Sequence, residues 1–181
     1  MAPRAAVFLD RDRTIVEDPG FLHESGRVVL LPGAALGLAA LARAGWPLII
    51  VSNQAGIARG LYRPDAFAAV NTRLETLLAA HRVRFLAAYY CPHHPDFTGP
   101  CECRKPGVAL FRLAALEHDL DLAASWYLGD RWRDVEPALT LGGRGLLVNP
   151  DGASEDARLA SAAGVPRVTD LVQAAAHIGA A

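Results

Sequence analysis

The chain has 181 residues, 52% of them hydrophobic, enough for one well-buried core and short for two. Its 18 Lys plus Arg stand against 19 Asp plus Glu, a formal charge of −1, which excludes the broad positive field expected of a nucleic-acid or anionic-membrane binder. No run approaches the roughly twenty apolar residues that span a bilayer, and the opening MAPRAAVFLDRDRT reaches charges after a short apolar run, so a cytoplasmic monomer acting on a small molecule is expected.

Short runs of Val, Ile and Leu alternate with longer segments rich in alanine and leucine, the pattern of parallel strands joined by crossover helices. A strand over Ala5–Asp10 is followed by a loop over Arg11–Leu31 and a helix over Gly33–Ala44, with Pro32 before it and Gly45 closing it. A strand over Leu48–Ser52 leads to a helix over Pro64–His81, opened by Pro64. A strand over Phe85–Cys91 leads to a second loop, Pro92–Gly107, and a helix over Val108–Asp119. Then come a strand over Trp126–Asp130, a helix over Arg133–Leu141, a strand over Gly145–Asn149, a helix over Ser154–Ala163, a short strand over Arg167–Thr169 and a helix over Asp170–Ile178; Ala174–Ala181 reads as a fraying end. This predicts a single domain over residues 1–181, an α/β Rossmann-like three-layer sandwich with a mainly parallel sheet. Neither loop is long enough to be an inserted domain, so no cap domain is expected and loops alone should shape the site.

In an open parallel sheet, ligands bind beyond the carboxyl ends of the strands. The first strand ends in VFLDRDRT, with Asp10 and Asp12; the second in LIIVSNQ, with Ser52; the fourth in WYLGDRWRD, with Asp130 and then Asp134. Three acidic groups brought to one edge repel one another unless a cation neutralises them, and hard oxygen donors suit magnesium. Such a centre, with a hydroxyl and a lysine beside it, suits phosphoryl transfer, and a carboxylate can itself attack phosphorus. Singly, each aspartate reads equally as the start of a turn.

All three cysteines fall in CPHHPDFTGPCECRKP over 91–106, where Cys91, His93, Cys101 and Cys103 form the Cys3His set that structural zinc prefers. The intervening prolines and glycine leave this zinc loop, residues 91–105, little core of its own, and a crosslinking ion would replace it. His94 stands as an alternative ligand to His93. Four protein ligands leave no open position for chemistry, so the role is placement. Directly after the last cysteine come Arg104 and Lys105, the only lysine in the chain.

DRDRT, the VSNQ segment, RKP and GDRWRD occur in the order of the four motifs of haloacid dehalogenase (HAD) phosphatases, and the resemblance covers nearly the whole chain. More narrowly, EDPGFLHE and the extension NQAGIARG resemble the branch containing heptose 1,7-bisphosphate phosphatases and histidinol-phosphate phosphatases, which lacks a cap domain and carries a zinc loop. The resemblance implies that Asp10 forms a phosphoenzyme and that Asp12 protonates the leaving alcohol and then activates water. It implies magnesium held by Asp10, the Asp12 carbonyl and Asp130, and phosphate held by Ser52 and Lys105, with Arg104 available to a second anionic group. Asp134 would order the metal's water shell or support Lys105, or be a plain helix residue. Asp18, Gly20, Phe21 and His23 would touch substrate, although a Pro-Gly turn explains them as well. Asn53 and Gln54 would meet sugar hydroxyls or satisfy backbone groups, and Arg131 would meet a phosphate or face water. His81, His118 and His177 read as structural or exposed. Arg13 stands where these enzymes commonly have glycine, so a left-handed backbone there would be strained, and its side chain would narrow the pocket or add a phosphate contact. The expected activity is removal of a phosphate from heptose 1,7-bisphosphate, with histidinol phosphate as the competing substrate. A zinc-stabilised binding module without activity is the alternative of another class.

Overall fold

The computed structural model describes residues 3–149 and 152–179. Its sheet contains β1 (Val7–Leu9), β2 (Leu48–Asn53), β3 (Ala87–Cys91), β4 (Trp126–Gly129), β5 (Arg144–Val148) and β6 (Arg167–Val168), in the order β3-β2-β1-β4-β5-β6 and parallel throughout. Alternate residues of each central strand point to opposite faces, and both faces are covered, which is why these strands read as unbroken apolar runs.

On one face, Val7, Leu9, Leu48, Ile50, Trp126 and Leu128 pack against Leu38 and Leu41 of α1 (Ala34–Arg43). The α2 (Ala55–Ala58) turn precedes α3 (Pro64–Leu78), which adds Val70, Leu74 and Leu78 to that layer. On the other, Phe8, Ile49, Val51 and Tyr127 meet Phe111 and Ala114 of α5 (Ala109–His118), which follows the single-turn α4 (Pro95–Thr98). That second layer is extended by α6 (Trp132–Val135), α7 (Pro137–Leu141) and α8 (Glu155–Ala162), while α9 (Leu171–Gly179) returns to the first and packs on α1. The result is the expected three-layer α/β sandwich, with no cap domain among the described residues.

The differences from the sequence reading are local. The helix expected over Arg133–Leu141 begins at Trp132 and is divided, because Pro137 has no N–H to donate and instead starts a new helix. The expected loop Pro92–Gly107 contains α4, with Pro95 at its first position and His94 Nδ1 accepting the Asp96 N–H at 3.3 Å. The loop Arg11–Leu31 contains a 3-10 turn over Ser25–Arg27 and is pinned to itself by Val16 bridging to Leu30. The fraying reading at Ala180 and Ala181 falls outside the described residues.

Because the chain moves from β1 outward to β3 and then returns to place β4 on the other side of β1, the direction of winding reverses between β1 and β4. The crevice at their carboxyl ends is where such folds bind ligands. Asp10 follows β1 and Asp130 follows β4, each one residue past its strand.

Candidate active site

The strand ends converge on Lys105. Its Nζ donates to Asp10 Oδ1 at 2.6 Å and to the Val51 carbonyl at 2.6 Å, and pairs with Asp134 Oδ1 at 2.8 Å. Lys105 is 3% exposed. Burial alone would push its ammonium down, but Asp10 and Asp134 outweigh that and raise it, so it stays charged. Asn53 fixes its backbone from both sides, donating to the Lys105 carbonyl at 3.1 Å and accepting its N–H at 3.0 Å. That amide therefore places the lysine, although it also borders the cavity.

Asp134 is the least exposed member of the acidic group after its strand. Gly129 makes this possible: a Cβ there would stand 2.2 Å from the Asp134 Cβ. Besides Lys105, Asp134 accepts the Arg131 N–H at 3.0 Å, which caps α6. Of the readings open from sequence, a plain helix residue is the one its burial and partners do not fit: Asp134 supports Lys105 and also offers an oxygen to the acidic cluster.

One carboxylate oxygen each from Asp10, Asp130 and Asp134 lie within 4.8 Å of one another. Burial raises Asp10 well above the ordinary carboxylate range, opposed by Lys105 and reinforced by Asp134, Asp12 and Asp130. Burial, with Asp134 next, pushes Asp130 up to about 6 against the pull of Arg13, Arg131 and Lys105. The cluster is thus short of positive charge, and its donors are hard oxygens close enough to share one ion; these residues fit magnesium. The Asp12 carboxylate is outside this group. Arg11, fully buried, takes it in a fork, Nε to Oδ1 at 2.8 Å and Nη2 to Oδ2 at 3.0 Å, and is itself held by Asn71 and the Phe67 ring.

Gln54 Nε2 donates to both Asp12 Oδ2 and Ser52 Oγ at 2.8 Å. Asp18 Oδ1 accepts the N–H groups of Gly20 and Leu22, so it shapes the first loop from within. Phe21 sits on the cavity wall with φ 55° and 40% exposure. Arg131 Nε lies 3.4 Å from Asp130 and its Nη1 3.6 Å from Asp156. Arg13 has φ 66°, the left-handed backbone that favours glycine, and its Nε stands 3.1 Å from Asp130 Oδ2.

The cavity enclosed by these groups has about 300 Å³ and is lined by Arg13, Arg59, Arg104, Arg131 and Arg133 besides the carboxylates. Arg59 and Arg133 lie in segments that sequence singles out, NQAGIARG and GDRWRD, but nothing in their spacing marks them. Arg59 stacks over Phe97 at 4.8 Å and Phe21 at 5.7 Å, bridging the two long loops. Arg104 donates to the His93 carbonyl at 3.1 Å. Burial holds its guanidinium below its ordinary value, and the like charges of Arg133 and Arg59 act in the same direction against the pull of Cys91 and Cys101.

At the end of β3, Cys91, Cys101 and Cys103 bring their sulfurs within 3.1–3.6 Å of one another, and His93 Nδ1 lies 3.7 Å from Cys91 and 3.3 Å from Cys103. A tetrahedral zinc site built from zinc–ligand bonds near 2.0–2.3 Å has edges of about 3.5–3.8 Å, so the cluster can hold zinc after a slight opening. His94 is turned instead to the α4 cap.

Residues 102–175 match the HAD-hydrolase-like family. The D-glycero-β-D-manno-heptose-1,7-bisphosphate 7-phosphatase of Yersinia pestis is 37% identical over 139 residues, 74% of either chain. The corresponding D-glycero-D-manno-heptose-1,7-bisphosphate 7-phosphatase of Thermosynechococcus vestitus is 39% identical over 155 residues, 81% of this chain and 79% of that one. The crystal structure of D,D-heptose 1,7-bisphosphate phosphatase from B. bronchiseptica, complexed with magnesium and phosphate, superposes with a TM-score of 0.83 at 30% identity, covering 96% of this chain and 97% of that one. With the Lys105-centred carboxylates at the switch crevice, a cysteine–histidine cluster at its side and relatives matched over three quarters of the chain, this protein belongs to the HAD-like phosphatases, in the family of the heptose-1,7-bisphosphate 7-phosphatases.

Proposed function

We propose that the chain removes the 7-phosphate from D-glycero-D-manno-heptose 1,7-bisphosphate by way of a phosphoenzyme on Asp10. A carboxylate oxygen of Asp10 forms a bond to phosphorus as the bond from phosphorus to the sugar oxygen breaks, and Asp12 gives that oxygen its proton. Asp12, now ionised, takes a proton from the water that attacks the phosphoenzyme, which releases phosphate and restores Asp10. Lys105, held by Val51 and Asp134, keeps one Asp10 oxygen in place and offsets charge on the transferred group. Ser52 donates a hydrogen bond to a phosphate oxygen. Asp10 and Asp130, with the Asp12 carbonyl, would hold magnesium, which when bound neutralises phosphate oxygens.

The observation that carries the substrate reading is that Arg59, Arg104 and Arg133 all line the cavity, with the charges of Arg133 and Arg59 felt at Arg104. Like charges gathered at a half-buried position repel until an anion joins them, so a substrate with a second phosphate is favoured over one carrying an amine. Zinc in the Cys91–His93–Cys101–Cys103 cluster would act by placement, since Arg104 is tied to the His93 carbonyl. Phosphate release from the heptose bisphosphate and from histidinol phosphate, compared with and without magnesium, tests the proposal. Preference for the bisphosphate supports it. Preference for histidinol phosphate would transfer the chemistry to that substrate, and hydrolysis of neither would overturn it.

A further inference from the structure

Tyr62 lies in the turn between α2 and α3 and has no part in the reading above. Its ring is held between two close neighbours, Gly56 and His23. A Cβ at Gly56 would stand 2.1 Å from the ring, so only glycine permits this approach, and His23 stacks on it at 5.0 Å with 6° between the planes. The Tyr62 hydroxyl donates to Gln54 Oε1 at 2.7 Å. Burial, with Asp12 as the next contribution, pushes this phenol up to about 12, so it remains a donor at neutral pH.

Gln54 is 2% exposed, and the two ends of its amide are chemically different. The phenol donates to Oε1 while the amide nitrogen donates to Ser52 Oγ and Asp12 Oδ2, so the hydroxyl on one side and the carboxylate on the other together set the amide's orientation. Two consequences follow. Ser52 Oγ accepts from Gln54, so its own hydrogen is available to a phosphate oxygen. Asp12 Oδ2 accepts from both Gln54 and Arg11, which uses its two lone pairs, whereas Oδ1 accepts from Arg11 Nε. A proton on Asp12 therefore belongs on Oδ1.

We propose that Tyr62 is a positioning residue: by fixing the amide orientation of Gln54, it saturates Asp12 Oδ2 and selects Oδ1 as the oxygen that delivers the proton to the leaving group. The inference rests on the phosphatase reading in which Asp12 is the general acid. In that step the electron pair of the breaking phosphorus–oxygen bond goes to the leaving oxygen, and the Oδ1 proton joins it. Without the Tyr62 hydroxyl, the amide of Gln54 can turn when Asp12 is protonated, its oxygen then accepting from a proton held on Oδ2 and from the Ser52 hydroxyl, which draws both hydrogens away from the pocket.

The test compares Tyr62→Phe with the magnesium- and zinc-loaded wild type on the heptose bisphosphate, whose alkoxide leaving group needs a proton, and on p-nitrophenyl phosphate, whose leaving group does not. Because kcat/KM reports the step that expels the leaving group, the ratio of the sugar to the aryl value should fall about tenfold in Tyr62→Phe, with KM for the sugar within about twofold. Gln54→Leu should lower the same ratio, and the double variant should lower it no further than the larger single effect. An unchanged ratio, equal losses on both substrates, or additive losses in the double variant would each overturn the proposal. A wild type that hydrolyses neither ester would overturn the phosphatase reading itself, a result distinct from an active enzyme with an unmoved ratio.

Discussion

The carboxylate centre at the strand ends and the cysteine–histidine loop beside it are held in opposite ways. Asp10 and Asp130 extend strands whose flanking residues are almost fully buried, and Lys105 is pinned by a main-chain carbonyl, two carboxylates and both ends of Asn53. The loop, by contrast, exposes Pro95, Asp96, Phe97 and Thr98, and between its buried ends, Cys91 and Lys105, it is gathered around its own sulfurs. A core preorganises the first before any ligand arrives; the second has little core beneath it, and a metal shared by its sulfurs would supply the missing crosslink. Removing groups from each should therefore damage different properties.

The largest effect is expected from Asp10→Asn, which keeps the volume and the Lys105–Asp134 pair but removes the nucleophile. Turnover of any phosphomonoester should fall by on the order of 10⁴ or more, with an unchanged far-ultraviolet circular dichroism spectrum. Retained turnover would refute the phosphoenzyme. Lys105→Met should act on stability as well. It leaves Asp10 and Asp134 buried without their common partner, and a loss of about 3–5 kcal/mol in denaturant unfolding is expected. A loss below about 1 kcal/mol would mean that the sheet, and not this lysine, holds the carboxylates together.

Stripping the metal from the loop should leave the sheet folded and turnover competent at high substrate. Arg104 and the Phe97–Arg59–Phe21 stack would lose their support, so KM should rise several-fold and hydrogen exchange should increase over residues 92–104. If metal loss is verified and KM does not move, the loop does not position the pocket.

The strand-end residues were legible from sequence because β-strands converge by rule: parallel topology fixes which ends meet, so Asp10, Ser52 and Asp130 could be grouped without coordinates. The four metal-type ligands were legible because all lie within thirteen residues, Cys91 to Cys103. What sequence missed was carried by side-chain direction. Arg11 carries no reading of its own in the sequence beyond opening the first loop, yet it is fully buried on Phe67 and Asn71. Tyr62 gains its place because Gly56, six residues before it, leaves room for a ring. Asn53 and Gln54 are open in the sequence to two readings, sugar contact or backbone satisfaction; Asn53 holds the Lys105 backbone, and Gln54 is engaged by the side chains of Ser52, Asp12 and Tyr62, which neither reading names. Periodicity specifies which way an element faces its core, not which neighbour a loop side chain chooses.

Arg13 gives the smallest predicted effect on stability and the sharpest contrast between the backbone and its charge. Its φ of 66° costs about 1 kcal/mol relative to glycine, and its pair with Asp130, with the arginine side chain 57% exposed, is worth no more than about 1 kcal/mol, so Arg13→Gly should shift unfolding by less than about 1 kcal/mol. Cation binding should respond more. Arg13 holds an Asp130 oxygen that magnesium would engage, and its removal should tighten magnesium binding about three- to tenfold in calorimetric titration of the zinc-loaded protein. Arg13→Gln separates the causes, since it keeps a strained backbone and removes the charge. Tightening in both variants would assign the effect to the ion pair; tightening in Arg13→Gly alone would assign it to the freed loop. Equal affinity in all three proteins would mean that the arginine leaves Asp130 without cost, and that its departure from glycine serves the pocket wall instead.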